Sequence, residues 1–473
     1  MKRVFYFTAL TFAALTALFS CDPEKNTDIV DPKPAKSYTV KDFVAGYCID
    51  TIYFWNEEVR EKNKSVNPDQ YNLEDYFDKL LYQEDRWSWM EDGKSFAESE
   101  TGVISGTWGA DFSQLDDSYF EDPQDYRRFQ VRVSFIYPGS PLEAFGVTRG
   151  AVLLGIGNKK DNLVEFTSEA RDAYINGISQ SPQTFTFRLT NGTDTTFTAS
   201  MAETLSTSPV HRVHVFDSSE FAGLTEPVGY FNYFNFKAGD FMDELSDALK
   251  ELQNQNIRKL ILDFRYNTGG DLDACQLLMD LISPASASGK VYLQYKHNKL
   301  LKSYNISKSI AKSANSGIED IYFITGEYTA SASEIVINGL KPYMGGHIHL
   351  VGGQTYGKPN GMYVLIYPPE AEYYSDIDYV FYPISFFNYN SADELIPFDG
   401  FIPDNERPDD LLHDWNAEED LIRACLTHIA TGEYPPFTPV PSEPEVKSAG
   451  HKAEAILEND LQTMRPGLYI KLK

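Results

Sequence analysis

Three short segments of the 473-residue chain set a reactive side chain among glycines or small residues, each after a strand-like run. The first is Asp263-Phe264-Arg265-Tyr266-Asn267-Thr268-Gly269-Gly270-Asp271. Two glycines between a buried strand and a helix let backbone amides approach a ligand closely. Alone, a Gly-Gly pair is more often only a turn. The second segment, Tyr328-Thr329-Ala330-Ser331-Ala332-Ser333-Glu334-Ile335, crowds small residues at a helix start and leaves room for a substrate backbone. Ser331 would stand at the helix N-terminus, where unbonded N–H groups and the dipole favour a developing oxyanion. The plainer alternative is a helix N-cap. The third is Gly353-Gln354-Thr355-Tyr356-Gly357-Lys358. A lysine in a glycine turn is ordinarily a solvated charge. Held in an apolar, desolvated site, it would lose pKa units and accept a proton from a serine.

Other catalytic patterns are missing from the sequence: there is no HExxH, GxSxG, GxxxxGK[ST] or GxGxxG. His347 and His349 alternate on an expected strand, but no third ligand lies nearby in sequence, so neither metal nor organic cofactor is expected.

The elements that must position these segments follow from periodicity. Over 206–435, strands expected at Val228–Phe236, Lys259–Leu262, Ile321–Thr325 and His347–Val351 alternate with helices at Phe241–Leu252, Leu272–Ile282 and Ser331–Tyr343. Strand–helix alternation implies an α/β core with a largely parallel sheet, whose active groups gather in the loops after the strands. Met362–Tyr367 and Tyr379–Phe387 read as strands with no helix between them. Residues 38–99 read as a small helical N-terminal module, with Val44, Cys48, Ile52, Trp55 and Val59 on one apolar face and no chemistry. Residues 100–205 change to β character, with strands around Arg128–Ile136 and Gln183–Arg188, and 436–473 read as a Pro-rich tail.

In the order LILDFRYNTGG, TASASEI, TYGK, the three segments resemble the C-terminal processing (tail-specific) serine peptidases, whose motifs read DLRxNxGG, (T/S)ASASE and TFGK. The resemblance implies a multidomain α/β protein with a ClpP/crotonase-like peptidase core and an exported protein or peptide as substrate. It makes Ser331 the nucleophile and Lys358 the general base. Gly269 or Gly270 and the Ala332 amide become the oxyanion hole, and Glu334 a supporting residue. Tyr137-Pro138-Gly139-Ser140-Pro141 through Val147, then Arg149-Gly150-Ala151-Val152-Leu153-Leu154, resembles a PDZ domain of the bacterial protease type. Such domains capture peptide C-termini by strand addition. Several positions depart from these patterns. Ala151 replaces an Asp, and the loop Asp116–Asp125 is long and acidic. Ser331 and Lys358 lie about two residues further apart than usual, an insertion placed near Gly345-Gly346. Met362 stands where a Gln often positions the lysine amine. They leave two alternatives to an endopeptidase: a non-catalytic ligand-binding protein on the same scaffold, and a PDZ-type scaffold.

Composition sets the outer bounds. A 42% hydrophobic content with 30 Tyr and 31 Phe is globular, and a formal charge of −28 excludes nucleic acid as partner. Lys2 and Arg3 precede an apolar run, Val4–Phe19, in the layout of a secretory signal (residues 1–20). It ends in Leu18-Phe19-Ser20-Cys21, which resembles a bacterial lipobox. Cys21 would then carry lipid on a flexible tether (21–37), placing the protein at the cell envelope with no other membrane contact. Cys48, Cys275 and Cys425 are expected as buried, unpaired thiols.

Overall fold

The β-branched and aromatic runs of the second half line up in a six-stranded sheet. Its order is Asn405–Glu406, Ile348–Gly352, Asp320–Thr325, Lys259–Asp263, Val228–Tyr233 and Val210–Phe216. All neighbours are parallel except the last pair, which is antiparallel. Lys259–Asp263 is buried from Leu260 onward, as a strand covered on both faces must be. In the computed structural model, residues 39–114, 131–163, 168–438 and 467–471 are described. The signal, the Cys21 anchor, the tether and the Asp116–Asp125 loop lie outside them.

Each parallel strand feeds the next element at its C-terminal end. Asp263 leads through the Arg265–Thr268 turn to a short strand, Gly269–Asp271, and then to the helix Leu272–Ile282, capped by the Asp271 carboxylate on the Asp273 amide at 2.7 Å. Thr325 leads to the helix Ala332–Met344, with Ser331 immediately before it. Gly352 leads to the Thr355–Lys358 turn and on to the strand Asn360–Tyr367. The three chemical segments therefore share one end of one sheet, the topological consequence of parallel strand order.

A second sheet was not anticipated as a layer. It runs Trp89–Asp92, Tyr379–Tyr382, Asn360–Tyr367, Ile384–Tyr389, Val291–His297 and Ser307–Ser309. The expected single strand Tyr379–Phe387 is interrupted at Pro383, which lacks the N–H a ladder needs, yet both halves pair with one edge of Asn360–Tyr367. Its outermost strand comes from the N-terminal region, where only helices were expected.

That region has no core of its own. Val44, Cys48, Ile52, Tyr53 and Phe77 are buried in one hydrophobic cluster with Leu245, Leu278, Phe323 and Phe381. Its first long helix, Phe43–Ile52, is wound as a π-helix, with Tyr53 N–H reaching back five residues to the Cys48 carbonyl.

Ahead of the core, five antiparallel strands form a separate sheet: Ala110–Gln114, Val131–Ile136, Val152–Ile156, Gln183–Arg188 and Asp194–Ala199. Phe112, Val133, Leu153, Phe185 and Phe187 fill its interior. Arg149 fastens this sheet to the core. Wholly buried, it donates to Tyr266 Oη at 2.7 Å, Asp409 Oδ1 at 2.8 Å and the Asp410 carbonyl at 2.6 Å, and its guanidinium lies 4.1 Å from the Trp415 ring centre.

The expected tail needs a correction. Residues 439–466 lie outside the described set, but Gly467–Lys471 forms a strand. It pairs in parallel with Gly269–Asp271 on one side and Met362–Val364 on the other. A Pro-rich composition upstream concealed a short apolar strand, Gly-Leu-Tyr-Ile-Lys.

Candidate active site

Ser331 is buried and has φ +58°, ψ −110°, a backbone conformation that costs a non-glycine residue about 1–3 kcal/mol. Such strain at a strand-to-helix turn lifts a side chain out of the helical path. The surroundings hold it there. Ala330 N–H donates to the Asn267 carbonyl at 3.1 Å, and Ser333 Oγ donates to the same carbonyl at 3.1 Å. Thr329 Oγ1 donates to the Phe264 carbonyl at 2.8 Å. The Ser331 turn is thus bonded directly to the segment carrying the glycines.

Asn267 is the centre of that junction, and the sequence reading gave it no role. Its Nδ2 donates to the Tyr233 carbonyl at 2.8 Å, while its Oδ1 accepts the Gly269 N–H at 2.9 Å. This corrects one expectation: the Gly269 amide is occupied and is not a donor to an oxyanion. Gly269 serves through its missing side chain. A Cβ there would lie 2.8 Å from Ser331 Cβ and 2.9 Å from Ala332 N, at φ +101°. The Gly270 and Ala332 amides remain as candidate donors. Ala332 opens its helix, where N–H groups have no helical acceptor.

Lys358 is fully buried. Desolvation is the main cause that pulls its pKa down to about 7, against the opposing charges of Asp85 and Glu334. Its Nζ lies 3.5 Å from Met362 Sδ, a weak acceptor that does little to stabilise an ammonium. Among the described residues, Ser331 Oγ has no hydrogen-bond partner. The amine and the hydroxyl are therefore not joined by a hydrogen bond in this structure.

What joins them is Glu334. Its Oε2 accepts the Ser331 N–H at 2.9 Å and the Lys358 N–H at 2.8 Å. Its Oε1 accepts the Gly357 N–H at 2.8 Å and the Thr355 hydroxyl at 2.6 Å. Burial raises the pKa of this carboxyl, and those four donors work against the rise. One carboxylate thus ties the serine turn to the lysine turn. Gly357 lets the turn pass under its neighbour, since a Cβ there would lie 2.1 Å from the Phe398 carbonyl oxygen.

Two further residues reach the lysine turn from the N-terminal region, where no chemistry was expected. Arg86 donates to the Phe398 carbonyl at 2.5 Å and lies 5.4 Å from the Tyr356 ring centre. Asp85 supplies part of the field on Lys358. Its carboxylate is held by Tyr53 Oη at 2.7 Å and Ser88 Oγ at 2.6 Å. Only the shared core reveals these contacts, because both residues are more than 250 positions from Lys358.

A cleft of about 710 Å³ opens onto Thr268, Gly269 and Gly270. Glu74, Glu91, Asp92 and Glu98 line it against one cation, Lys237. Burial lowers the Lys237 pKa to about 8. Cys48, Cys275 and Cys425 are buried and unpaired; Cys275 Sγ sits 3.8 Å from the Ala332 carbonyl. His347 and His349 both turn to Asp320, at 2.9 and 3.7 Å. Among the described residues no helix is long and apolar enough to cross a membrane.

Comparison with known proteins bears on the same segment. Residues 227–404 match the model of peptidase family S41. The "Probable CtpA-like serine protease" of Staphylococcus aureus (strain bovine RF122 / ET3-1) is 24% identical over 268 residues, covering 57% of this chain and 47% of that protein. Its namesake in Staphylococcus saprophyticus is 28% identical over 131 residues, covering 28% of this chain and 25% of that protein. The chain thus spans about half the length, or less, of the curated relatives it matches. A solved structure described as "Putative S41 protease" from Bacteroides fragilis NCTC 9343 superposes with a TM-score of 0.65 at 21% identity. It covers 84% of this chain and 99% of that one, which establishes a shared fold. Ser331, Glu334, Lys358 and both glycines fall inside the segment that matches the peptidase family S41 model.

Proposed function

We propose that this chain is a serine endopeptidase acting on exported proteins or peptides through a Ser331–Lys358 dyad. The observation that carries the reading is the wholly buried lysine, its pKa brought to about 7, on a turn that Glu334 ties to the nucleophile's own amide. At neutral pH such an amine is partly unprotonated and can accept the Ser331 hydroxyl proton as Oγ attacks a peptide carbonyl. The Gly270 and Ala332 amides receive the oxyanion. The ammonium then gives that proton to the leaving amine as the C–N bond breaks, leaving an acyl-Ser331 ester. The neutral amine next takes a proton from water, whose oxygen attacks the ester, and returns that proton to Ser331 Oγ as the acid product leaves.

The acidic cleft favours polypeptide segments carrying basic residues. The antiparallel sheet of residues 110–199 acts in this reading as a PDZ-type domain that presents substrate, and Cys21 as a lipid anchor at the cell envelope. Ser331→Ala and Lys358→Ala should each lower turnover of an unfolded protein substrate by at least about 10⁴-fold with an unchanged circular dichroism spectrum. Turnover within tenfold of the parent by either variant would refute the dyad.

A second reading, a ligand-binding protein without turnover, draws on the Nζ–Met362 contact and the absence of an Oγ–Nζ hydrogen bond. Catalytic hydrogen bonds often close only around substrate. Tight binding of unfolded polypeptide with no cleavage by the parent chain would favour this alternative.

A further inference from the structure

The strand Gly467–Lys471 lies between the two segments that carry the site. We infer that this position is a slot for an extended polypeptide, and that the chain's own residues 467–471 fill it in competition with substrate. The inference rests on the peptidase reading for the word substrate; the slot and its occupant rest on backbone pairing alone.

On one side, Gly269 C=O accepts the Phe236 N–H at 2.9 Å, and the Phe236 carbonyl accepts the Asp271 N–H at 2.7 Å. Those groups point away from the slot. Strand alternation then turns the Gly270 N–H and C=O to the opposite edge, where Gly467, Leu468 and Tyr469 stand beside Gly269, Gly270 and Asp271. In a parallel ladder the Gly270 N–H is aimed at the carbonyl of the residue before its partner, here Gly467. The segment thus offers a peptide carbonyl to a donor assigned above to the oxyanion.

On the other side, Asn360–Tyr367 gives one edge to Ile384–Phe387 and Tyr379–Phe381. Its opposite edge pairs Met362, Tyr363 and Val364 with Tyr469, Ile470 and Lys471. Tyr469 is the single register position shared by both flanking strands. The polarity is also defined. Gly467 lies beside Gly269, which packs on Ser331, and the chain then runs along the strand that follows Lys358. An occupant therefore meets the nucleophile with its N-terminal end and leaves along Met362–Val364.

Main-chain pairing on both edges accepts almost any sequence without proline, which suits a site for extended polypeptide. A tethered occupant acts at an effective concentration in the millimolar range, so it raises the KM for added substrate.

Tyr469→Pro removes an N–H at the shared register position and should empty the slot. The test compares this variant with the parent on a fluorogenic peptide. The expected result is a KM lowered about fivefold or more at similar kcat. A synthetic peptide of residues 465–473 should then restore the parent KM competitively. Equal KM for the two proteins, with no competition by the peptide, would overturn the proposal. If neither protein turns over substrate, the peptidase reading has failed by itself. Fluorescence anisotropy with the labelled 465–473 peptide then decides the slot: tighter binding to Tyr469→Pro than to the parent upholds it, and equal affinity overturns it.

Discussion

Asp409 and Lys358 are both held in buried, charged surroundings, and the two are balanced in opposite ways. At the joint between the antiparallel sheet and the core, Arg149 and Arg265 meet Asp263, Asp409 and Glu419. Arg265 donates to Asp263 Oδ2 at 2.8 Å and Asp409 Oδ1 at 2.7 Å, and Arg149 adds a second bond to Asp409. Burial would push the Asp409 carboxyl up, but the two guanidiniums hold it at about 2. Asp409 therefore stays ionised through any physiological pH, while burial raises Glu419 at the same joint to about 7. At Lys358 the balance is reversed: desolvation outweighs the field of Asp85 and Glu334, and the nearby thioether offers little in return. The lesson is that burial alone does not make a charged group reactive. Incomplete compensation does, because it moves the proton equilibrium to where the cell can use it.

The comparison breaks most visibly at the joint. Arg149→Met should cost about 3–5 kcal/mol, because it removes one of the two guanidiniums that hold Asp409 and the donor to the Asp410 carbonyl, yet leave the pH dependence of the remaining activity unchanged. Calorimetry with a pH–rate profile checks both halves; a shifted profile would mean that the two groups are coupled. The reverse holds at the site. Lys358→Met should stabilise the inactive protein by about 1–3 kcal/mol, because it removes an under-compensated amine. The sign with pH follows from the depressed pKa. Between about pH 7 and the unfolded value the unfolded chain binds the extra proton, so the parent gains stability as pH rises. The Tm advantage of Lys358→Met should accordingly be larger at pH 6 than at pH 9.

Smaller changes tune the amine. For the parent, kcat/KM should rise with pH through about 7 as Lys358 loses its proton. Met362→Gln supplies a carbonyl acceptor that favours the ammonium, and should move that limb upward by about half to one pH unit. Asp85→Asn removes a charge that raises the lysine pKa, and should move the limb downward by a few tenths of a unit. Limbs that stay in place in both variants would separate Lys358 from the titration.

Much of this was legible in the chain. The parallel sheet followed from alternating apolar runs, and Lys259–Leu262 and Gln183–Arg188 emerge within a residue of their expected bounds because each is short, apolar and bracketed by turn formers. The three chemical segments converge because consecutive parallel strands must end on the same side. The second sheet was harder to read, since Trp89–Asp92 becomes a strand only by pairing with Tyr379–Tyr382, far away in sequence. The same reason hid Asp85 and Arg86. Gly269 looked like an oxyanion donor because a glycine pair advertises two amides, whereas Asn267, two residues earlier, is spaced to take one of them in an Asx turn. The 467–471 strand was missed because five residues carry too little periodicity to stand out after a proline-rich stretch.

The acidic cleft above Gly269 and Gly270 has a kinetic consequence. With four carboxylates facing one lysine on a strongly anionic protein, the encounter with a cationic polypeptide is accelerated by long-range attraction. That attraction reaches only about 8 Å at physiological ionic strength. Capture of basic chains should therefore slow as salt is added while the chemical step keeps its rate, so the surrounding medium's salinity would act as a throttle on entry alone.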